Sequence, residues 1–425
     1  MISFPTTWQF GEAKDLCSEL VDCINKTAPV VEYETPYKMI RTTNVKKGRV
    51  DLTEAKCVDE ATFIKWNRRL TPEYRDIVLT REAPLGDVGL IRTDEKVFLG
   101  QRTMLFRANP DLLDQHFLYY TLLGPTAQAQ IRTFGSGSTV EHVRVPDAEK
   151  ITIPYPDLAT QRKIAAILTA YDDLIEVNKR RIALLEKMAE ELYREWFVRL
   201  RFPGYQDTRF VKGVPEGWEI LKFSDICNFI KGKTPSHLVG NPLEDYLPYV
   251  NAAYLRGQER EFAKRERNSV TCDHGDVLML MDGSNSGLVF RAQAGIVAST
   301  FARIELDLKY RHFIFEYLKA TQESIISNNT GSAVPHANKE FINRLIIFAP
   351  KDDQLLNSFN ENYQSLHDQC ANLYAQNENL TKTRDLLLPR LISGKLSVED
   401  LDIQFPPSMQ ETTAGQESRP EVRHA

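Results

Sequence analysis

Residue types that could do chemistry occur in this 425-residue chain in three kinds of motif. Gly232-Lys233-Thr234 has the ending of a phosphate-cradling loop, but the first glycine that the spacing demands falls on Cys227. A base-modifying methyltransferase needs a polar residue before Pro-Pro-aromatic to hold an extruded base. Asn109-Pro110-Asp111 and Asn241-Pro242-Leu243 lack the second proline, and Pro406-Pro407 lies near the end of the chain. Pro146-Asp147-x-Glu149-Lys150 compresses the letters of a nuclease site into five residues, with no room for metal ligands on separate strands. The six cysteines form no CxxC pair, which leaves neither a zinc site nor a disulfide framework. No motif found here supplies a catalytic residue or a metal ligand.

What the chain does contain is itself, twice. Pro5-x-x-Trp8 followed by Asp15-Leu16-Cys17 recurs as Pro215-x-x-Trp218 followed by Asp225-Ile226-Cys227, at an offset of 210. Asp76-Ile77-Val78-Leu79 matches Asp276-Val277-Leu278-Met279 at 200. Gly137-Ser138-x-Val140-x-His142 matches Gly331-Ser332-x-Val334-x-His336 at 194, as does Ile151-x-Ile153-x-x-Pro156 with Leu345-x-Ile347-x-x-Pro350. The order is kept and the offset shrinks in loop-sized steps, so one globular module is present in two copies. His142 and His336 fall in matching loops, where capping the loop is the first reading and a DNA contact the second.

Each copy leads into a heptad seam. Ile164, Leu168, Tyr171, Ile175, Asn178, Ile182, Leu185, Ala189, Leu192 and Trp196 alternate by four and three. Phe359, Tyr363, Leu366, Cys370, Leu373, Asn377, Leu380, Arg384, Leu387 and Leu391 repeat the spacing, with Arg384 as the weak layer. A single stripe usually packs a helix on a core. Two matched seams of equal length predict a coiled coil between them. Within the modules, β-branched runs at Asp76 to Thr80, Gly275 to Met281 and Ile151 to Tyr155 predict strands, and His116 to Leu123 and His312 to Ala320 predict helices. The class is α+β.

The net charge of −5 argues weakly against nucleic acid, but the acidic tail accounts for most of it. Basic clusters stand out at Lys46-Lys47-Gly48-Arg49, Arg68-Arg69, and Arg256 to Arg267, though any such cluster is more often a solvated face. No run is long and apolar enough for a membrane span and the first ten residues do not read as a signal peptide, so a cytoplasmic location is expected.

The stretch from Pro156-Asp157-Leu158-Ala159-Thr160-Gln161-Arg162-Lys163-Ile164-Ala165 to Leu185-Glu186 resembles the central conserved region of the specificity subunits of type I restriction-modification systems. Leu387-Leu388-Pro389-Arg390-Leu391-Ile392-Ser393-Gly394-Lys395-Leu396 resembles the distal one, and Pro215-Glu216-Gly217-Trp218 and Lys231-Gly232-Lys233-Thr234-Pro235 match that family's module openings. Thr7 replaces the glycine of the first such opening. The resemblance covers residues 1 to 396.

It implies a pseudo-twofold arrangement: a first target-recognition domain over 1–155, a central helix over 156–200, a linker over 201–213, a second target-recognition domain over 214–350 and a distal helix over 351–396. The composition after that, with Pro406-Pro407 and few apolar residues, predicts a disordered acidic tail over 397–425. The two helices would form an antiparallel coiled coil. The chain would read a bipartite site on double-stranded DNA, one domain per half-site. It would also scaffold two DNA adenine methyltransferase subunits and the motor-nuclease restriction subunits, with no membrane contact. It would bind no cofactor itself; S-adenosylmethionine, ATP and Mg would belong to the partners. The competing readings are a coiled-coil scaffold that does not bind DNA and an enzyme with an unrecognised active site.

Residues common to both modules cannot distinguish two half-sites, so base contacts are expected where the modules diverge. These are Arg81, Gln101, Arg102 and Ser136 in the first module, and Lys233, Asp282, Ser284, Asn285 and Ser299 in the second. If the helices run antiparallel with ends aligned, Ile164 faces Leu391 and Trp196 faces Phe359. Asn178 then meets Asn377, and the facing amides can fix the register.

The seam also predicts a ruler. From Ile164 to Trp196 it rises about 48 Å, comparable to about 14 base pairs. Four residues inserted in the middle of each helix add about 6 Å and about 40° of net turn, close to the roughly 3.4 Å and 35° of one base pair. Such an insertion is a stutter that a coiled coil absorbs by local unwinding. The expected outcome, read by mapping methylated positions in a genome, is a site with both half-sites intact and an unspecified spacer one or two base pairs longer. Changed half-site letters with an unchanged spacer would show that the helices are not the ruler.

Overall fold

The computed structural model describes residues 4–46, 48–135, 141–257, 260–331 and 334–410. The chain divides into two compact units, Met1–Lys179 with Tyr374–Ala425, and Arg180–Leu373, so each long helix contributes one part to each unit.

In the first unit, the strand Gln9–Glu12 pairs antiparallel with Thr152–Tyr155. A six-stranded sheet runs in the order Cys17–Asp22, Thr103–Ala108, Ile77–Arg81, Leu85–Leu90, Gly48–Val50 and Val45–Lys46. A smaller sheet places Tyr37–Ile40 between Lys56–Cys57 and Lys96–Leu99, with the latter pair parallel. The second unit repeats the scheme. Trp218–Lys222 pairs with Ile346–Pro350, and Cys227–Lys231, Phe301–Leu306, Val277–Leu280 and Val289–Arg291 follow in the same order. Tyr246–Val250 again lies parallel to its neighbour Gly295–Val297. The Val, Ile and Leu runs of Ile77–Arg81 and Val277–Leu280 become inner strands because both faces are covered, and all eight residues of Ile77–Thr80 and Val277–Leu280 are buried.

The module helices are Gln115–Leu123, where Asp114 accepts from the amides of His116 and Phe117, and Arg311–Ala320. His116 and His312 are buried in them at matching places, and burial pushes both down to about 3.

The long helices are Leu158–Tyr193, continued by a π-turn at Arg194–Val198, and Asp353–Leu391. In the first unit Ile164, Leu168 and Leu391 are buried in one core with Phe106 and Phe117. There Asn178 Nδ2 donates to Asn377 Oδ1 at 3.0 Å. In the second unit Ile182 packs with Cys370 and Leu373, and the rings of Trp196 and Phe359 lie 5.8 Å apart. Within each unit the two helices therefore meet in antiparallel order.

Two expectations need correction. Arg384 is not a weak layer: its guanidinium donates to Asp172 Oδ1 at 2.6 Å, while the Tyr120 hydroxyl donates to Oδ2 at 2.7 Å. Asp172 is 3% exposed, and the cation at this seam position offsets the cost of burying its carboxylate. The tail is also not disordered over 397–410. Val398 is buried, and Ile403 and Met409 pack against the first core. Lys163 Nζ donates to the Glu399 carbonyl at 2.6 Å and Ser408 Oγ to Asp173 at 2.6 Å, while Arg75 donates to the Ser408 carbonyl. A few well-placed apolar side chains and satisfied backbone carbonyls offset the entropy that its polar composition would otherwise retain. Residues 411–425 lie outside the described residues.

Replacing Arg384 by Met strands the Asp172 carboxylate, leaving it Tyr120 and a more distant Arg92 at 3.6 Å. The expected loss is about 3 kcal/mol of unfolding free energy, and adding Asp172→Asn should recover part of it. Denaturant midpoints of the single and double variants check both.

Candidate nucleic-acid interface

In the first module, the strand order brings the ends of Cys17–Asp22 and Ile77–Arg81 to either side of Thr103–Ala108. Asp22 closes the first of these strands. Its carboxylate accepts from Arg69 and lies 3.6 Å from Arg81 Nη1. Arg81 also donates to the Val143 carbonyl at 2.9 Å and to His142 Nε2 at 3.1 Å. A guanidinium can only donate, so His142 carries its proton on Nδ1, which faces Glu82 Oε2 at 3.5 Å, too long for a good hydrogen bond. Glu82 in turn meets Arg102 Nε at 2.5 Å. The cations and carboxylates alternate along one edge of the module.

Arg102 sits in the turn before Thr103–Ala108 with a left-handed φ of 68°, which a non-glycine residue adopts at a cost of about 1 kcal/mol or more. Gln101 accepts from the Thr27 hydroxyl at 3.3 Å. The structure thus brings Arg81, Gln101 and Arg102 to one edge. Ser136 lies outside the described residues.

The second module builds the matching edge from fewer charges. Asp282 Oδ1 accepts from His336 Nδ1 at 2.8 Å, and Oδ2 lies 3.2 Å from Lys231 Nζ. Burial pushes this carboxyl up, but the His336 and Lys231 contacts outweigh it and hold it below the usual carboxylate range. The backbone agrees in both copies. Val143 donates to the Arg81 carbonyl at 3.0 Å where Ala337 donates to that of Met281 at 2.9 Å, and Arg81 and Met281 each donate, at 2.7 Å, to the carbonyls of Arg102 and Thr300. His336 therefore ties its loop to Asp282, the acid that follows the Val277–Leu280 strand, whereas His142 ties its loop to Arg81 at the end of the matching strand.

Thr234 donates to the Ser299 hydroxyl at 2.9 Å, which puts Lys233 and Ser299 together, with the Lys233 amide on the Val297 carbonyl. Ser284 and Asn285 are exposed in the turn after Asp282. The glycine before Lys233 has a packing reason. A Cβ on Gly232 would stand 2.2 Å from the Ala298 carbonyl oxygen, so the close backbone approach, not a phosphate, demands it.

Of the basic clusters, Arg49 pairs with Glu176 and Arg260 stacks on Tyr254, while Arg68, Lys264, Arg265 and Arg267 are exposed. Lys47 lies outside the described residues. Among the described residues no group of three or more His, Cys, Asp or Glu is arranged to hold a metal ion, and no helix is long and apolar enough to cross a membrane.

The sequence matches, over residues 5–187 and 215–361, the family described as the type I restriction modification DNA specificity domain. The chain belongs to that family. Its two matched segments coincide with the two repeats of the DNA specificity domain seen in the fold. It is 27% identical over 389 residues to the type I restriction enzyme MjaIX specificity subunit of Methanocaldococcus jannaschii, covering 84% of each chain. It is 21% identical to the HindI specificity subunit of Haemophilus influenzae, covering 69% of this chain and 80% of that one. Its fold is similar to the crystal structure of a type I restriction-modification S subunit from M. genitalium, with a TM-score of 0.52 at 20% identity, covering 90% and 96% of the two chains.

The expected base contacts in this DNA specificity domain pair did not include Asp22, Arg69, Glu82 or Lys231, although Arg69 stands out in a basic cluster. For Asp22 and Lys231 the signal is that strand-end residues align between copies but differ in charge, Asp22 pairing across to Met104 where Lys231 pairs across to Ala302.

Arg102→Ala removes an exposed guanidinium from one module only. It should relax a single half-site by about 1 to 3 kcal/mol of discrimination against the wrong base. Methylated-site mapping checks this. Equal weakening on all sequences would make Arg102 a phosphate contact.

Proposed function

We propose that this specificity-family chain reads a two-part DNA site, one module per half-site, and holds two DNA adenine methyltransferase subunits and motor-nuclease restriction subunits on its helices. The observation that carries the reading is the pairing of equal backbone with unequal side chains. The four strands Cys17–Asp22, Thr103–Ala108, Ile77–Arg81 and Leu85–Leu90 and their counterparts follow one order with matching turn hydrogen bonds, while the edge formed by their strand ends carries arginine and glutamate in one module and lysine and aspartate in the other. Matching strand-end scaffolds with different polar edges suit two different base sequences, since base edges are told apart by donor and acceptor placement in the major groove. Two such readers at a fixed separation multiply their selectivity without new contacts.

The chain acts without catalysis of its own and binds no cofactor. S-adenosylmethionine, ATP and Mg serve the partner subunits, where the target adenine is extruded into a separate pocket. The work is done in the cytoplasm, where the DNA is.

Co-expression with the methyltransferase subunits is expected to place methyl groups at one bipartite motif in a host genome, and the isolated chain to transfer none. Methylation without a two-part motif, or turnover by the isolated chain, would sink the reading.

A further inference from the structure

The alternating charges on the first module's edge have two ends. Running Arg69, Asp22, Arg81, His142, Glu82, Arg102, the side chains are 49%, 29%, 12%, 34%, 21% and 52% exposed. Both carboxylates are occupied by cations in the interior of the series, and the two most exposed groups are the terminal guanidiniums. Each is held by one edge only. Asp22 takes Arg69 at Nη1, and Glu82 takes Arg102 at Nε. A guanidinium carries five N–H donors in a fixed plane, so an arginine anchored at one nitrogen still presents a rigid two-pronged donor edge.

We propose that Arg69 reads a guanine in the same half-site as Arg102, with Asp22 as its positioning residue. The inference rests on the DNA-reading function above. Guanine O6 and N7 are the base acceptors that two parallel N–H groups fit, and arginine at guanine is the commonest specific contact in the major groove. An unanchored surface arginine loses side-chain entropy on binding; Asp22 orders Arg69 beforehand. Among the described residues the second module shows no such pair at this place. Lys231 and His336 meet Asp282 there, a point charge and a ring, neither of which makes a forked contact. Guanine read by a fork at this edge is therefore a property of the first half-site alone.

The test uses the complete methyltransferase complex and maps methylated positions genome-wide. Arg69→Ala should lower the preference for one guanine by roughly 10- to 100-fold, in the half-site that Arg102→Ala also relaxes, with the letters of the other half-site unchanged. Arg69→Lys keeps the charge and loses the fork, so it should lose the same letter. If Arg69→Lys retains the letter, or Arg69→Ala weakens methylation evenly at an unchanged motif, Arg69 is a phosphate contact and the proposal fails. Unchanged methylation in Arg69→Ala overturns it as well. Intact letters in the second half-site report that the complex has assembled. Should Arg69→Ala give no methylation at all, Asp22→Asn decides: it keeps the side-chain shape and frees Arg69, and the same guanine preference must fall. A wild-type complex that shows no bipartite motif would instead defeat the DNA-reading function itself.

Discussion

The seam of the two long helices constrains everything else, because each part of it is also the wall of a module's core. A coiled-coil seam exposed to water has only its own two faces to bury. Here the first unit packs Ile164, Leu168 and Leu391 against Phe106, Phe117 and Tyr120, and the second packs Trp196, Phe197 and Phe359 against Phe313. In each unit, module and helix side chains are therefore buried in one shared core.

The two units solve the same packing problem with different chemistry. In the first, Asp172 is buried between Arg384 and Tyr120, an arrangement that tolerates only one register because an ion shifted by a turn loses its partner. In the second, Tyr363 donates to the buried Glu316 and stacks on His312, while Arg291 lies over the rings of Phe315 and Tyr363. Apolar and aromatic packing alone is non-directional. Hydrogen bonds at these points, and the Asn178–Asn377 pair, add direction at the level of single residues.

The edges that face outward follow a different rule. Their backbone is held by the same turn hydrogen bonds in both copies, so the side chains there can differ between the copies without disturbing the sheets. The carboxylates at these edges face the wrong way electrostatically for DNA, yet each is engaged by cations, and what remains exposed is the positive end. That reconciles an overall charge of −5 with binding to a polyanion.

The repeat, the two seams, the strands around Asp76 and Gly275 and the module helices were legible in the sequence, because each depends on local periodicity or on one segment matching another. Even the Asn178 and Asn377 contact could be written down once antiparallel ends were assumed. The alternating edge could not. Asp22, Arg69, Glu82 and His142 come from four separate segments of chain, and no spacing rule relates them; only the closing of the sheet sets a carboxylate from one strand end against a guanidinium from a distant turn. Arg384 and the segment 397–410 were misread for the same reason. A lone arginine in a seam and a polar, proline-containing tail look unfavourable in isolation, and what makes them stable is a partner, Asp172 in one case and the first module's core in the other, that folding alone brings within reach.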